Sequence, residues 1–97
     1  MISEVEAAQQ LTYLACELYD REKYHGGRPA VKEISMAKLV SCDLIQKVAY
    51  NCQQFHGGYG YMIEYDISRA WVDSRLLPIG GGTSEIMKEI IAKFAGL

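Results

Sequence analysis

The chain predicts an all-α fold, an up-and-down bundle of about four helices, and three observations carry that prediction. Apolar residues recur at helical spacing through most of the 97 residues. Turns rich in glycine and proline break the pattern near residues 25–29, 57–58 and 78–82. No segment alternates apolar and polar residues cleanly enough for a sheet, and no hairpin signal appears. Short connections between helices favour antiparallel neighbours. The length suits one domain over residues 1–97 and not two.

The first helix is expected from about residue 4 to about residue 23. Ser3-Glu4-Val5-Glu6 has capping-box form, and Val5, Ala8, Leu11, Ala15 and Leu18 share a face. His25-Gly26-Gly27-Arg28-Pro29 reads as a turn. The second helix is the longest: Ile34, Ala37, Ser41, Leu44, Ile45, Val48, Cys52 and Phe55 form a stripe that nothing breaks before Gly57. It would span roughly 35–40 Å at 1.5 Å per residue. Gly57-Gly58 ends it as glycines commonly end helices. From Tyr61 to Leu77, Ile63, Ile67, Ala70, Trp71 and Ser74 suit a third helix, although the β-branched and aromatic content leaves a strand open. Pro78 closes that segment. The fourth helix starts at Gly82-Thr83-Ser84 with Thr83 or Ser84 as cap, shows Ile86, Ile90 and Phe94 on one face, and stops by Gly96.

Composition excludes several classes of function. Half the residues are apolar, at 49%, and the net charge is -2, so the chain has an ordinary globular balance. Arg21, Arg28, Arg69 and Arg75 are scattered among acids, which gives nucleic acid no basic face to bind. No apolar run reaches the roughly 20 residues of a membrane span. Met1-Ile2-Ser3-Glu4 lacks the layout of a secretory signal, so the chain is not expected to be secreted. Cys16, Cys42 and Cys52 form no C-x-x-C pair and read as buried thiols in a reducing compartment. His56 has no second histidine or cysteine at ligand spacing, so no metal site is expected and the ring reads as a helix-end side chain. Leu14, Leu39, Val40 and Tyr50 fall off the main stripes, and a second copy or another domain would cover them.

Two glycine clusters at helix ends carry the functional signal. They are Gln54-Phe55-His56-Gly57-Gly58-Tyr59-Gly60-Tyr61 and Ile79-Gly80-Gly81-Gly82-Thr83-Ser84-Glu85-Ile86. Glycine lets a bulky partner approach the main chain, and a helix N-terminus offers free amides to anions. Together they point to a phosphate-bearing ligand. Taken singly, each has a plain alternative: the first is a helix cap and the second a flexible turn. The triple glycine is not a P-loop, because the Gly-x-x-x-x-Gly-Lys-Ser/Thr pattern is missing.

The spacing of Gln54-x-x-Gly57-Gly58-x-Gly60-Tyr61, Arg69, Asp73-x-Arg75 and Gly82-Thr83-Ser84-Glu85-Ile86 resembles the C-terminal helical domain of the acyl-CoA dehydrogenase family. Ala37-Lys38-Leu39 near the start of the second helix fits as well. The resemblance covers nearly the whole chain but only about the last quarter of a family protein. It implies a C-terminal domain of a longer FAD-dependent enzyme that removes two hydrogens from the α and β carbons of an acyl-CoA thioester. It also implies a homo-oligomer, in the bacterial cytoplasm or the mitochondrial matrix.

Carried over by position, Gln54, Phe55, His56, Gly57 and Gly58 would contact the ADP half of an FAD held mainly by a neighbouring subunit. Thr83 and Glu85 would contact FAD, and Gly82 would line the thioester pocket. Many members carry the catalytic glutamate directly before the Gly-Thr of the second motif, where this chain has Gly81. Long-chain and isovaleryl-type members also lack an acid there and hold the base on an earlier helix, which this chain does not contain. Val72 stands where the family usually has arginine. The chain alone is therefore expected to lack dehydrogenase activity. A non-catalytic helical module for oligomerisation or partner binding is the alternative.

Overall fold

A computed structural model describes residues 1–97 as four α-helices and one 3-10 turn, with no strand. Helix α1 spans Ile2–His25, α2 Val31–Phe55, α3 Asp66–Ser74 and α4 Ser84–Phe94; the 3-10 turn spans Gly57–Tyr61. The all-α expectation and the four helices stand, and the strand left open over Tyr61–Leu77 is absent.

The chain is organised around α2. Helix α1 packs on α2 alone, α4 packs on α2 alone, and α3 packs on α2 and the 3-10 turn. The result is an open, elongated bundle of 51 × 22 × 21 Å. Small residues line its seams: Ala8, Ala15, Ala30, Ala37 and Ala49 are buried, joined by Leu18 and Met87. Alanine lets helix axes approach closely but buries little area, so no large side chain is fully enclosed. Much of the predicted stripe on α2 stays open, with Ile34 and Ile45 exposed and Phe55 74% exposed.

Three details differ from the sequence reading. Helix α1 begins at Ile2 with Met1 as its cap, and Ser3 makes no capping bond. The Met1 carbonyl accepts from Val5 N at 3.0 Å, which draws Ser3 inside the first turn and removes its role as cap. The third helix starts five residues later than Tyr61, because the chain first forms the 3-10 turn and an extended Tyr65. It also ends at Ser74, before Pro78 could stop it.

The α1–α2 connection is held by charge. The Glu22 carboxylate accepts from Ala30 N at 2.9 Å and serves the start of α2, which has no side-chain cap of its own. Glu33 is buried, with one carboxylate oxygen 2.9 Å from the Arg28 guanidinium and the other unpartnered. Hydrogen bonding from Arg28 holds the Glu33 carboxyl below its ordinary range against the opposing effect of burial. Further along the pair, Lys47 donates to Glu4 at 2.6 Å and lowers its carboxyl likewise.

Candidate functional site

The first glycine cluster is the end of α2. His56 closes the helix, and Gly57 turns the chain with φ +61°, a left-handed conformation that favours glycine. A β-carbon at Gly57 or Gly58 would meet nothing within 4 Å, so this main chain is bare toward open space. Gln53, Gln54, Gly57 and Tyr61 border a recess of about 260 Å³ beside it. His56 Nδ1 lies 2.7 Å from the Cys52 carbonyl; a carbonyl only accepts, so this nitrogen carries the proton. The ring is thus anchored to its own helix, and Phe55 and Gln54 are exposed on the same rim.

Gly60 has a different role from its neighbours. A β-carbon there would fall 2.4 Å from the Gln53 carbonyl oxygen. The Gln53 side chain in turn donates to the Gly60 carbonyl at 3.0 Å. Close backbone approach fastens the 3-10 turn onto α2 and sets how the bare Gly57-Gly58 stretch is presented.

The second cluster leads into α4. Gly81 and Gly82 have φ +66° and +98°. Thr83 is the cap, and its Oγ1 accepts from Ile86 N at 3.2 Å, as expected of one of the two candidate caps. Not every amide at the start of α4 is free for a ligand. Ser84 N donates to the Pro78 carbonyl at 3.1 Å, and Ile86 N is taken by Thr83 Oγ1. Only the amides of Thr83 and Glu85 remain without a partner in the chain.

Helix α2 grips this loop from below. Lys38 Nζ donates to the Leu77 carbonyl at 2.9 Å and to the Gly82 carbonyl at 2.5 Å. Ser84 Oγ donates to Asp43 at 2.9 Å, and Gln46 donates to Ser74 Oγ at 2.6 Å. A polar cleft of about 450 Å³ opens between α2 and α4, bordered by Asp43, Gln46, Arg75, Ser84, Glu85 and Lys88. Sequence reading did not single out Asp43 or Gln46, and took Lys38 only as part of a motif. Their partners lie 28 to 44 residues away, and no local pattern encodes that.

The two clusters do not form one pocket within a chain. Asp43, which touches the second, and His56, which opens the first, are 13 positions apart on α2, or roughly 20 Å at 1.5 Å per residue. Gly81 offers no side chain, and the neighbouring Glu85 lies past the cap on α4. No three of His, Cys, Asp and Glu gather closely enough to hold a metal ion. No helix is long and apolar enough to cross a membrane.

Comparison with known proteins identifies this arrangement. The family profile "Acyl-CoA dehydrogenase, C-terminal domain" matches residues 1–96. The long-chain specific acyl-CoA dehydrogenase of Sus scrofa mitochondria is 61% identical over 59 residues, 61% of this chain and 14% of that protein. An acyl-CoA dehydrogenase of Bacillus subtilis is 39% identical over 94 residues, 97% of this chain and 24% of the relative. The crystal structure of acyl-CoA dehydrogenase from Geobacillus kaustophilus superposes with a TM-score of 0.87 at 37% identity, covering all of this chain and 24% of that one. The chain thus spans about a quarter or less of the relatives it matches. It belongs to the acyl-CoA dehydrogenase family, whose C-terminal helical domain it represents.

Proposed function

We propose that this chain is the C-terminal helical part of an FAD-dependent acyl-CoA dehydrogenase, and that it supplies main-chain contacts to FAD and contacts between subunits. The observation that carries this reading is bare backbone at both glycine turns: open space at Gly57 and Gly58, and unpartnered amides at Thr83 and Glu85. Such surfaces suit a dinucleotide, which brings acceptor oxygens and a flat ring system close to the main chain. A flavin held there would supply the acceptor for the hydride that leaves the β carbon of the acyl-CoA thioester.

The division of labour is carried over by position from the family resemblance. Gln54, Phe55, His56, Gly57 and Gly58 would face the FAD of a neighbouring subunit, which the separation of roughly 20 Å from the second turn supports. Thr83 and Glu85 would serve the FAD held by their own subunit, with Gly82 at the thioester pocket. Gly81 cannot take a proton, so the base is supplied from outside this chain. Similarity to a long-chain specific relative supports that reading. A mitochondrial matrix or bacterial cytoplasmic setting is proposed for this chain, supported by one mitochondrial and one bacterial relative.

The test is to join this chain with the remaining polypeptide of the enzyme and look for a yellow, FAD-retaining complex. This chain alone should turn over no acyl-CoA when FAD is added. A complete assembly that stays colourless and inactive would instead support a helical oligomerisation or partner-binding module.

A further inference from the structure

The ammonium of Lys38 spends two of its three donors on carbonyls of a single loop and pairs with no carboxylate. That loop runs from Leu77 to Gly82 and contains three consecutive glycines, two of them at positive φ. Such a segment has high conformational entropy and needs an outside anchor to hold one shape. Lys38 projects from α2, the most extensively packed element, so the anchor is rigid.

The grip has a directional consequence. Every peptide bond in the chain is trans, and in a planar trans peptide the carbonyl and the amide hydrogen point in opposite directions. The Gly82 carbonyl belongs to the same peptide as the Thr83 amide. Drawing Gly82 O toward α2 therefore turns Thr83 N–H away from α2 and out of the loop. That amide is one of the two at the start of α4 with no partner in the chain.

We propose that Lys38 is a positioning residue: by holding the Gly82 carbonyl it aims the Thr83 amide at an acceptor oxygen of the bound ligand. The proposal rests on the flavin reading for the identity of that ligand, a flavin dinucleotide. Its geometric half, loop ordering and amide direction, stands on this chain's own bonds. Asp43 contributes separately, through the Ser84 hydroxyl, and holds the helix and not the Gly82 peptide.

The experiment compares Lys38→Met, which keeps the aliphatic stem without donors, with Lys38→Arg, which keeps both charge and donors. In the full chain, amide hydrogen exchange is followed at Gly80 and Ser84, whose bonds to Leu76 and Pro78 close the same loop. Lys38→Met removes both bonds and is expected to lower protection there at least about tenfold, while α1 and the middle of α2 stay unchanged. Lys38→Arg is expected to restore most of it. Equal protection in wild type and Lys38→Met overturns the proposal whatever the ligand. In the complete enzyme, FAD affinity measured by flavin fluorescence should fall about tenfold in Lys38→Met and recover in Lys38→Arg. A loosened loop with unchanged FAD affinity also overturns it. A wild-type enzyme that binds no FAD overturns the flavin reading, while the exchange data still decide whether Lys38 orders the loop.

Discussion

The Gly60 α-carbon sits so close to the Gln53 backbone that a β-carbon would fall 2.4 Å from the Gln53 carbonyl oxygen. Backbone cannot move aside as a side-chain tip can, so Gly60→Ala must push the 3-10 turn off α2. The variant should lose about 1–3 kcal/mol, the usual cost of overpacking. Urea unfolding checks this, and an unchanged midpoint would show that the turn is not fastened there.

Gly58 gives the opposite expectation. Its would-be β-carbon points into open space, and its φ is not in the left-handed region. Gly58→Ala should change stability by less than about 0.5 kcal/mol. If FAD packs on this main chain, the same substitution should still weaken FAD retention in the complete enzyme. Comparing melting temperature with flavin release separates the two effects, and full FAD retention would argue against close approach at this turn.

Thr83 caps α4 through one hydrogen bond to Ile86 N. Thr83→Ala should cost about 1 kcal/mol, whereas Thr83→Ser should cost much less because it keeps the acceptor. Thermal denaturation followed by circular dichroism is the check. Equal losses in both variants would mean that the methyl group matters and the cap does not.

How much of this was legible beforehand depended on range. The end of α2 at Gly57 and the cap at Thr83 are set by residues within one helical turn, and both were readable. Ser3 looked like a cap, yet Met1 lies just ahead of it and its carbonyl extends the helix to Ile2. The late start of α3 was hidden because Gly60 packing on Gln53 fixes the 3-10 turn, a contact that periodicity does not report. Lys38, Asp43 and Gln46 reach across 28 to 44 residues, so the hold of Lys38 and Asp43 on the second turn, and of Gln46 on the end of α3, appears only in three dimensions. That Thr83 and Glu85 keep free amides while those of Ser84 and Ile86 are bonded is set by the fold of the loop and not by any sequence pattern.

Acid should loosen the α1–α2 pair. Arg28 lowers the Glu33 carboxyl, and Lys47 lowers that of Glu4, from an ordinary value of 4.5. A depressed folded-state pKa gives stability that is present above 4.5 and is lost as pH falls through the lower folded value. Unfolding midpoints should therefore drop below about pH 4.5, and Glu33→Gln should flatten part of that dependence. A midpoint that rises on acidification would contradict these pairings.

The open bundle leaves Val5, Tyr13, Leu14, Val40, Tyr50 and Phe55 exposed over several faces. The isolated chain is expected to self-associate at micromolar concentration. Sedimentation velocity tests this, and a compact monomer across that range would count against it.

The central claim is that main chain at two separate glycine turns faces a flavin dinucleotide. The most direct measurement is amide chemical shift in the complete enzyme carrying this chain labelled with nitrogen-15, before and after FAD is added. Gly57, Gly58, Thr83 and Glu85 should shift together, while Gly26 and Gly27 in the α1–α2 connection stay in place. FAD bound at one per subunit with those four resonances unmoved would contradict the account.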